Sequence, residues 1–91
     1  MQRLMVHGMN YDLTQHAKDV LRERCISVEW MERTLARPEL VIQYPDDPSV
    51  KRHFMRIPEF GNRVLRVAVN TMVEPNRVVS VFFDRTMKGK L

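Results

Sequence analysis

Apolar positions in the first half of the chain recur at helical spacing. Leu13, Ala17, Val20 and Leu21 follow one another at intervals of four, three and one, which sets them on one face of a repeat of about 3.6 residues. Thr14 or Asp12 supplies an N-cap, so a first helix is expected over about 14–25. Ile26 and Ser27 interrupt the stripe. Ser27 can cap a second helix whose stripe is Val28, Met31 and Leu35, with Ile26 and Met31 spaced as a hydrophobic staple. Pro38 stops that helix near Arg37.

Beyond Pro38 the period falls to two. Runs rich in β-branched and aromatic residues occupy 40–44, 51–57, 64–70 and 78–84, and read as four strands. The first join carries Pro45, Asp46, Asp47, Pro48 and Ser49; the other two are also short and turn-rich. Joins of this length permit antiparallel neighbours and exclude parallel crossovers. In the third strand Leu65, Val67 and Val69 oppose Val64, Arg66, Ala68 and Asn70; in the fourth, Val79, Val81 and Phe83 oppose Val78, Ser80, Phe82 and Asp84. The expected fold is α+β: two N-terminal helices packed on one face of an antiparallel four-stranded meander, with residues 4–7 as an optional extra edge strand. The other face stays open and carries Arg66, Asn70, Ser80 and Asp84, joined by Arg52 and Arg56 if Met55 and Ile57 face the core.

Length and composition narrow this further. Ninety-one residues make a single domain, with 1–10 and 85–91 expected as flexible ends around a basic Lys88-Gly89-Lys90 tail. A chain 44% hydrophobic and 29% charged is neither disordered nor membrane-like, and no apolar run approaches the roughly 18 residues of a span. The single cysteine, Cys25, excludes an internal disulfide framework and a cysteine-only metal site. The apolar run near Met1 is too short for a secretory signal, so a cytoplasmic location is expected. The net charge of +4 hides an asymmetry: residues 1–49 carry 6 Lys/Arg against 8 Asp/Glu, residues 50–91 carry 9 against 3. Eleven of the 15 basic residues are arginine, whose planar fork suits phosphate or carboxylate. An anionic partner and a GC-rich genome both account for that usage.

Candidate chemistry is sparse. His7, His16 and His53 have no His-x-x-x-His spacing and Cys25 no Cys-x-x-Cys partner, so neither a metal nor another cofactor is expected. No Gly-x-Ser-x-Gly elbow is present, and three glycines form no phosphate-cradling loop. His16 heads the first helix as a candidate acid or base; if Met55 and Ile57 face the core, His53 shares their side and reads as a packed or edge histidine. Arg24 falls inside the first helix's apolar stripe. Either its stem runs past the core edge to the helix C-terminal carbonyls, or it converges with His16 on a polar pocket. Trp30 lies off the second helix's stripe, either partly buried or anchoring a partner.

The order of elements, with Leu13-Thr14-Gln15-His16-Ala17, Glu23-Arg24-Cys25-Ile26-Ser27, Pro38-Glu39, the run 64–69 and the run 78–82, resembles the RelE/ParE toxin superfamily. It is still more similar to a family of small bacterial proteins of unknown function related to that fold. The likeness spans about residues 11–84. It departs at Cys25, where glycine is usual, and near Ser80, where threonine is usual. In RelE-like nucleases it implies metal-free cleavage of RNA, the 2′-hydroxyl attacking the adjacent phosphate. His16 would then be the acid or base, and Arg56 and Arg66 the phosphate clamp. Arg24, Arg52, Arg63, Arg77 and Arg85 would bind nucleic acid. ParE-like members imply instead a module that grips a protein target or nucleic acid without chemistry, with a cognate antitoxin or another protein as partner.

Overall fold

The computed structural model describes residues 3–6 and 9–91, with side chains from residue 10 onward. Helix α1 spans Gln15–Glu23 and α2 Val28–Ala36. Thr14 and Ser27 cap them, each hydroxyl accepting from an N–H three residues on, Ala17 at 3.1 Å and Trp30 at 3.4 Å. This satisfies one of the otherwise orphaned N-terminal donors in each helix. At the end of α1 the Ile26 N–H donates to the Leu21 carbonyl at 2.9 Å and the Cys25 N–H to that of Arg22 at 3.3 Å, while Cys25 takes φ 52°. This is a Schellman turn, closed by the apolar contact of Leu21 and Ile26 within one core cluster.

Six strands form one sheet: β1 Arg3–Val6, β2 Met9–Leu13, β3 Leu40–Gln43, β4 Val50–Ile57, β5 Arg63–Asn70 and β6 Asn76–Phe83, in the spatial order β1-β2-β6-β5-β4-β3. The expected meander is β3 to β6, all antiparallel. The N-terminal edge is a hairpin of two strands rather than one, and β2 joins β6 in parallel, Leu13 opposite Val78. Leu13 therefore belongs to a strand and not to the α1 stripe. The alternation of Met9, Tyr11 and Leu13 with Asn10 and Asp12 carries the signal for β2, but its pairing partner lies some sixty residues away and no local pattern shows it. His7 lies outside the described residues.

The helices cover one face. Ala17, Leu21, Ile26 and Met31 close over Ile57, Leu65, Val67, Val69, Val78 and Val81. Val78 corrects the simple alternation in β6. A β-bulge between Ala68 and Val69 pairs Val69 with Val78 and Ala68 with Ser80, leaving Val79 as the extra residue. One inserted residue inverts the phase of the strand, so Val78 turns into the core and Val79 to the open face. A buried polar link crosses the layers: Tyr11, 2% exposed, donates its hydroxyl to Glu32 Oε2 on α2 at 2.7 Å, and Glu32 is 4% exposed. Burial first, then the neighbouring Glu32 carboxylate, raises the Tyr11 phenol above its ordinary range. At the other terminus Arg85–Met87 form a 3₁₀ turn capped by Asp84, so the backbone after β6 is hydrogen-bonded where the sequence suggested a flexible end.

Candidate nucleic-acid interface

On the open face three rows of side chains run across the strands. Arg52 stands opposite Ala68, and Ala68 opposite Ser80; beside them Phe54, Arg66 and Phe82 form the next row. Asn70 begins a third, flanked by Val50 and Arg77. Ala68 is the small residue at the centre. Around it opens a hollow of about 240 Å³, rimmed by Arg52, Arg66, Tyr44, Val50, Val79 and Ser80 and by one carboxylate, Asp47, whose Oδ1 accepts from the Ser49 N–H and hydroxyl. The bulge that turns Val79 outward completes this rim.

The arginines here are held by aromatic rings. Arg66 has Phe54 and Phe82 as its two cross-strand neighbours, and its guanidinium carbon lies 3.9 Å from the Phe82 centroid. Arg52 lies 5.1 Å from the Tyr44 centroid. Cation–π contact and an apolar bed let these stems cover buried carbon, including Phe54 at 2% exposure, while the charged heads remain near solvent. Arg66 is further oriented by Asp84, Nη1 to Oδ2 at 3.4 Å. Its guanidinium pKa is pushed below the ordinary arginine range by burial; Asp84 opposes that, while the like charge of Arg52 adds to it. The Nε atoms of Arg52, Arg66 and Arg77 are each buried without a hydrogen-bond partner. The groups on this face that an anion could reach are therefore the guanidinium heads of Arg52 and Arg66, not their buried Nε atoms.

A second concavity opens where the turn between the helices meets the end of the sheet. It measures about 520 Å³ and is lined by Arg24, Cys25, Trp30, Phe60, Arg63, Phe83, Arg85 and Lys88, among others. Its wall is a triad of rings: Trp30 to Phe60 at 5.5 Å, Trp30 to Phe83 at 6.1 Å and Phe60 to Phe83 at 5.0 Å between centroids. Phe60 sits on a 3₁₀ turn that ends with Gly61 and Asn62 at positive φ. A bidentate pair from Arg33 to Glu59, 2.8 and 2.9 Å, ties that turn to α2. The Arg33 hydrogen bonds hold the Glu59 carboxyl down at about 2.

The residues expected from sequence divide between these places. Arg24, Arg63 and Arg85 meet at the second concavity, Arg24 as the exposed C-cap residue of α1 and not inside the core. Arg52, Arg66 and Arg77 lie on the open face. Arg56 lies there too, but Glu39 already engages it through Nε and Nη2 and accepts from its backbone N–H. The structure does not bring the proposed catalytic set together: His16 is exposed on α1, which covers the helix side of the sheet, while Arg56 and Arg66 project from the other side. His53 is packed as expected, half-buried on the helix side; burial lowers its pKa and leaves Nδ1 without a partner. Tyr44, Phe82 and the ring triad were not singled out by sequence, apart from Trp30. An aromatic inside a turn such as Pro58-Glu59-Phe60-Gly61-Asn62 is the signal that was there to find.

Fold and site together define a two-layer α+β domain with two concavities lined by arginine and aromatic side chains. The chain belongs to the family described as Domain of unknown function (DUF4258), whose model matches residues 13–83. That match runs from the last residue of β2 to the end of β6, so most of the N-terminal hairpin and the Arg85–Met87 turn lie outside it. No curated protein and no solved structure matches the chain. Among the described residues no helix is long and apolar enough to cross a membrane, and no three His, Cys, Asp or Glu residues cluster to hold a metal ion.

Proposed function

We propose that the protein binds single-stranded RNA on the open face of its sheet, as a RelE/ParE-like domain acting in the bacterial cytoplasm. The observation that carries this reading is the pair Arg52 and Arg66, bedded on Tyr44, Phe82 and Phe54 around a hollow. Phosphate oxygens would meet the guanidinium heads that remain near solvent, and the exposed ring of Tyr44 offers a stacking platform that any base fits. Binding without cleavage is favoured over an endoribonuclease, because cleavage needs a proton acceptor beside the clamp and His16 stands across the sheet from it. A toxin-like role with a cognate antitoxin, or a ParE-like grip on a protein target, would use the same charged surface.

The test is a filter-binding titration of a labelled single strand over a range of salt, in EDTA, with intact RNA checked on a gel. Each phosphate contact contributes about −0.7 to the slope of log K against log salt. Arg66→Ala and Arg52→Ala are expected to weaken binding and to flatten that slope by about one such increment each, while His16→Ala binds as the parent does. Cleavage abolished by His16→Ala would restore the nuclease reading; a slope that Arg52 and Arg66 leave unchanged would remove the open face from the interaction.

A further inference from the structure

The concavity between the helix turn and the sheet end is chemically distinct from the open face. Its four cations, Arg24, Arg63, Arg85 and Lys88, take part in none of the ion pairs found among the described residues. The carboxylate among the lining residues is Asp84, and it is already engaged: Oδ1 accepts from the Thr86 N–H and hydroxyl, and Oδ2 faces Arg66. The rings beside the cations are not sealed into the core. Phe60 remains 39% exposed and Trp30 and Phe83 are only partly buried, although three converging aromatics would gain from full burial. At about 520 Å³ the space lies within the ordinary range of small-ligand pockets, roughly 300–1,000 Å³.

We propose that this pocket is a mononucleotide subsite, in which a base lies on the Trp30–Phe60–Phe83 wall and its phosphate is held by Arg63, Arg85 and Lys88. The three rings are tilted to one another by 34°, 50° and 77°, so a base stacks on one of them and meets the edges of the others, offset and edge-to-face contacts both being favourable. Arg63 already lies 4.5 Å over the Phe60 ring, which fixes its fork at the boundary between the stacking surface and the cations. A dianionic phosphate suits this excess of positive charge better than a single carboxylate, and arginine binds it through two parallel N–H bonds. The Arg33–Glu59 pair and the left-handed Gly61 and Asn62 hold Phe60 in place before the ligand arrives, so little ordering is needed on binding. The base-plus-phosphate unit is either a free nucleoside monophosphate or the terminal nucleotide of an RNA strand.

The pocket carries its own reporters, the only tryptophan and the only cysteine of the chain. The full chain is titrated with AMP, GMP, CMP and UMP, and separately with adenosine and with inorganic phosphate, following Trp30 fluorescence and the rate at which a maleimide labels Cys25. At least one monophosphate is expected to quench Trp30 and to slow Cys25 labelling severalfold, with adenosine and phosphate each at least tenfold weaker. Arg63→Ala and Phe60→Leu lower the affinity about tenfold or more, whereas Lys18→Ala, which lines neither concavity, leaves it unchanged. Competition by a linear strand bearing a 5′-phosphate, and not by a circular strand, identifies the RNA end as the natural source; competition by neither identifies the free nucleotide. No response to any monophosphate at millimolar concentration, or a response that survives both pocket variants, overturns the proposal. A pocket that binds monophosphate in a protein whose RNA binding is absent leaves this inference standing and the open-face reading fallen; Arg66-dependent RNA binding with a silent pocket gives the converse.

Discussion

Cys25 is the residue most at odds with its backbone. Its φ of 52° lies in the left-handed region, which costs a residue bearing a Cβ roughly 1–2 kcal/mol and which glycine enters freely. The conformation is enforced by the Schellman bonds from Cys25 and Ile26 back to Arg22 and Leu21, and it directs the chain into Ser27, the cap of α2. Cys25→Gly relieves the strain but gives back part of the gain, because glycine has more freedom to lose on folding, roughly 0.5–1 kcal/mol. The side chain is exposed, so packing contributes little. A net stabilisation of about 1 kcal/mol is expected, worth roughly 4–8 °C in Tm for a domain of this size. Urea titration of the parent, Cys25→Gly and Cys25→Ala measures it: the glycine variant should shift the midpoint upward at constant m, and the alanine variant, which keeps the Cβ, should stay within about 0.5 kcal/mol of the parent. A glycine variant no more stable than the alanine one would refute the argument.

Further expectations follow from other contacts. Tyr11→Phe strands the buried Glu32 carboxylate without its donor and should cost about 2–3 kcal/mol in chemical denaturation; Glu32→Gln, which still accepts from Tyr11, should cost less. Because the Tyr11 phenol is raised in the folded state, the unfolded chain ionises first. Its contribution is therefore complete below pH ~10 and lost as pH rises further, a loss that thermal melts of the parent against Tyr11→Phe should show. Glu59 has the opposite sign: with its carboxyl held at about 2, the Arg33 contribution is full above the ordinary glutamate range and fades as pH falls toward 2, where the parent and Glu59→Gln should melt alike. The bulge predicts unequal valines, Val78→Ala costing about 2 kcal/mol and Val79→Ala well under 1; equal losses would contradict the observed phase.

The helices were legible because their signals are local: Thr14 and Ser27 cap where expected and Pro38 ends α2. The meander was legible because its short joins leave antiparallel pairing as the only choice. What escaped was non-local. The parallel pairing of β2 with β6 depends on Val78 being where Leu13 arrives, and the bulge at Val79 depends on β5 pairing Ala68 with Ser80 and Val69 with Val78, so neither shows in a strand read alone. The same limit applied to the sites. Individual arginines were visible as anion-binding candidates, and the open-face positions of Arg52, Arg56 and Arg66 followed from alternation. Their partners did not: Glu39 takes up Arg56, Asp84 and Phe82 orient Arg66, and the rings beside Arg63 converge from α2, a turn and β6. Spacing within helix α1 could link His16 to Arg24 but could not say which face of the sheet either would serve.

The most direct test of RNA binding at the open face is an amide NMR titration of the labelled protein with a short single-stranded RNA. The account predicts shifts concentrated at Tyr44, Arg52, Arg66, Ser80 and Phe82, lost in Arg66→Ala. Shifts confined to the helix layer around His16, or none at all, would contradict it.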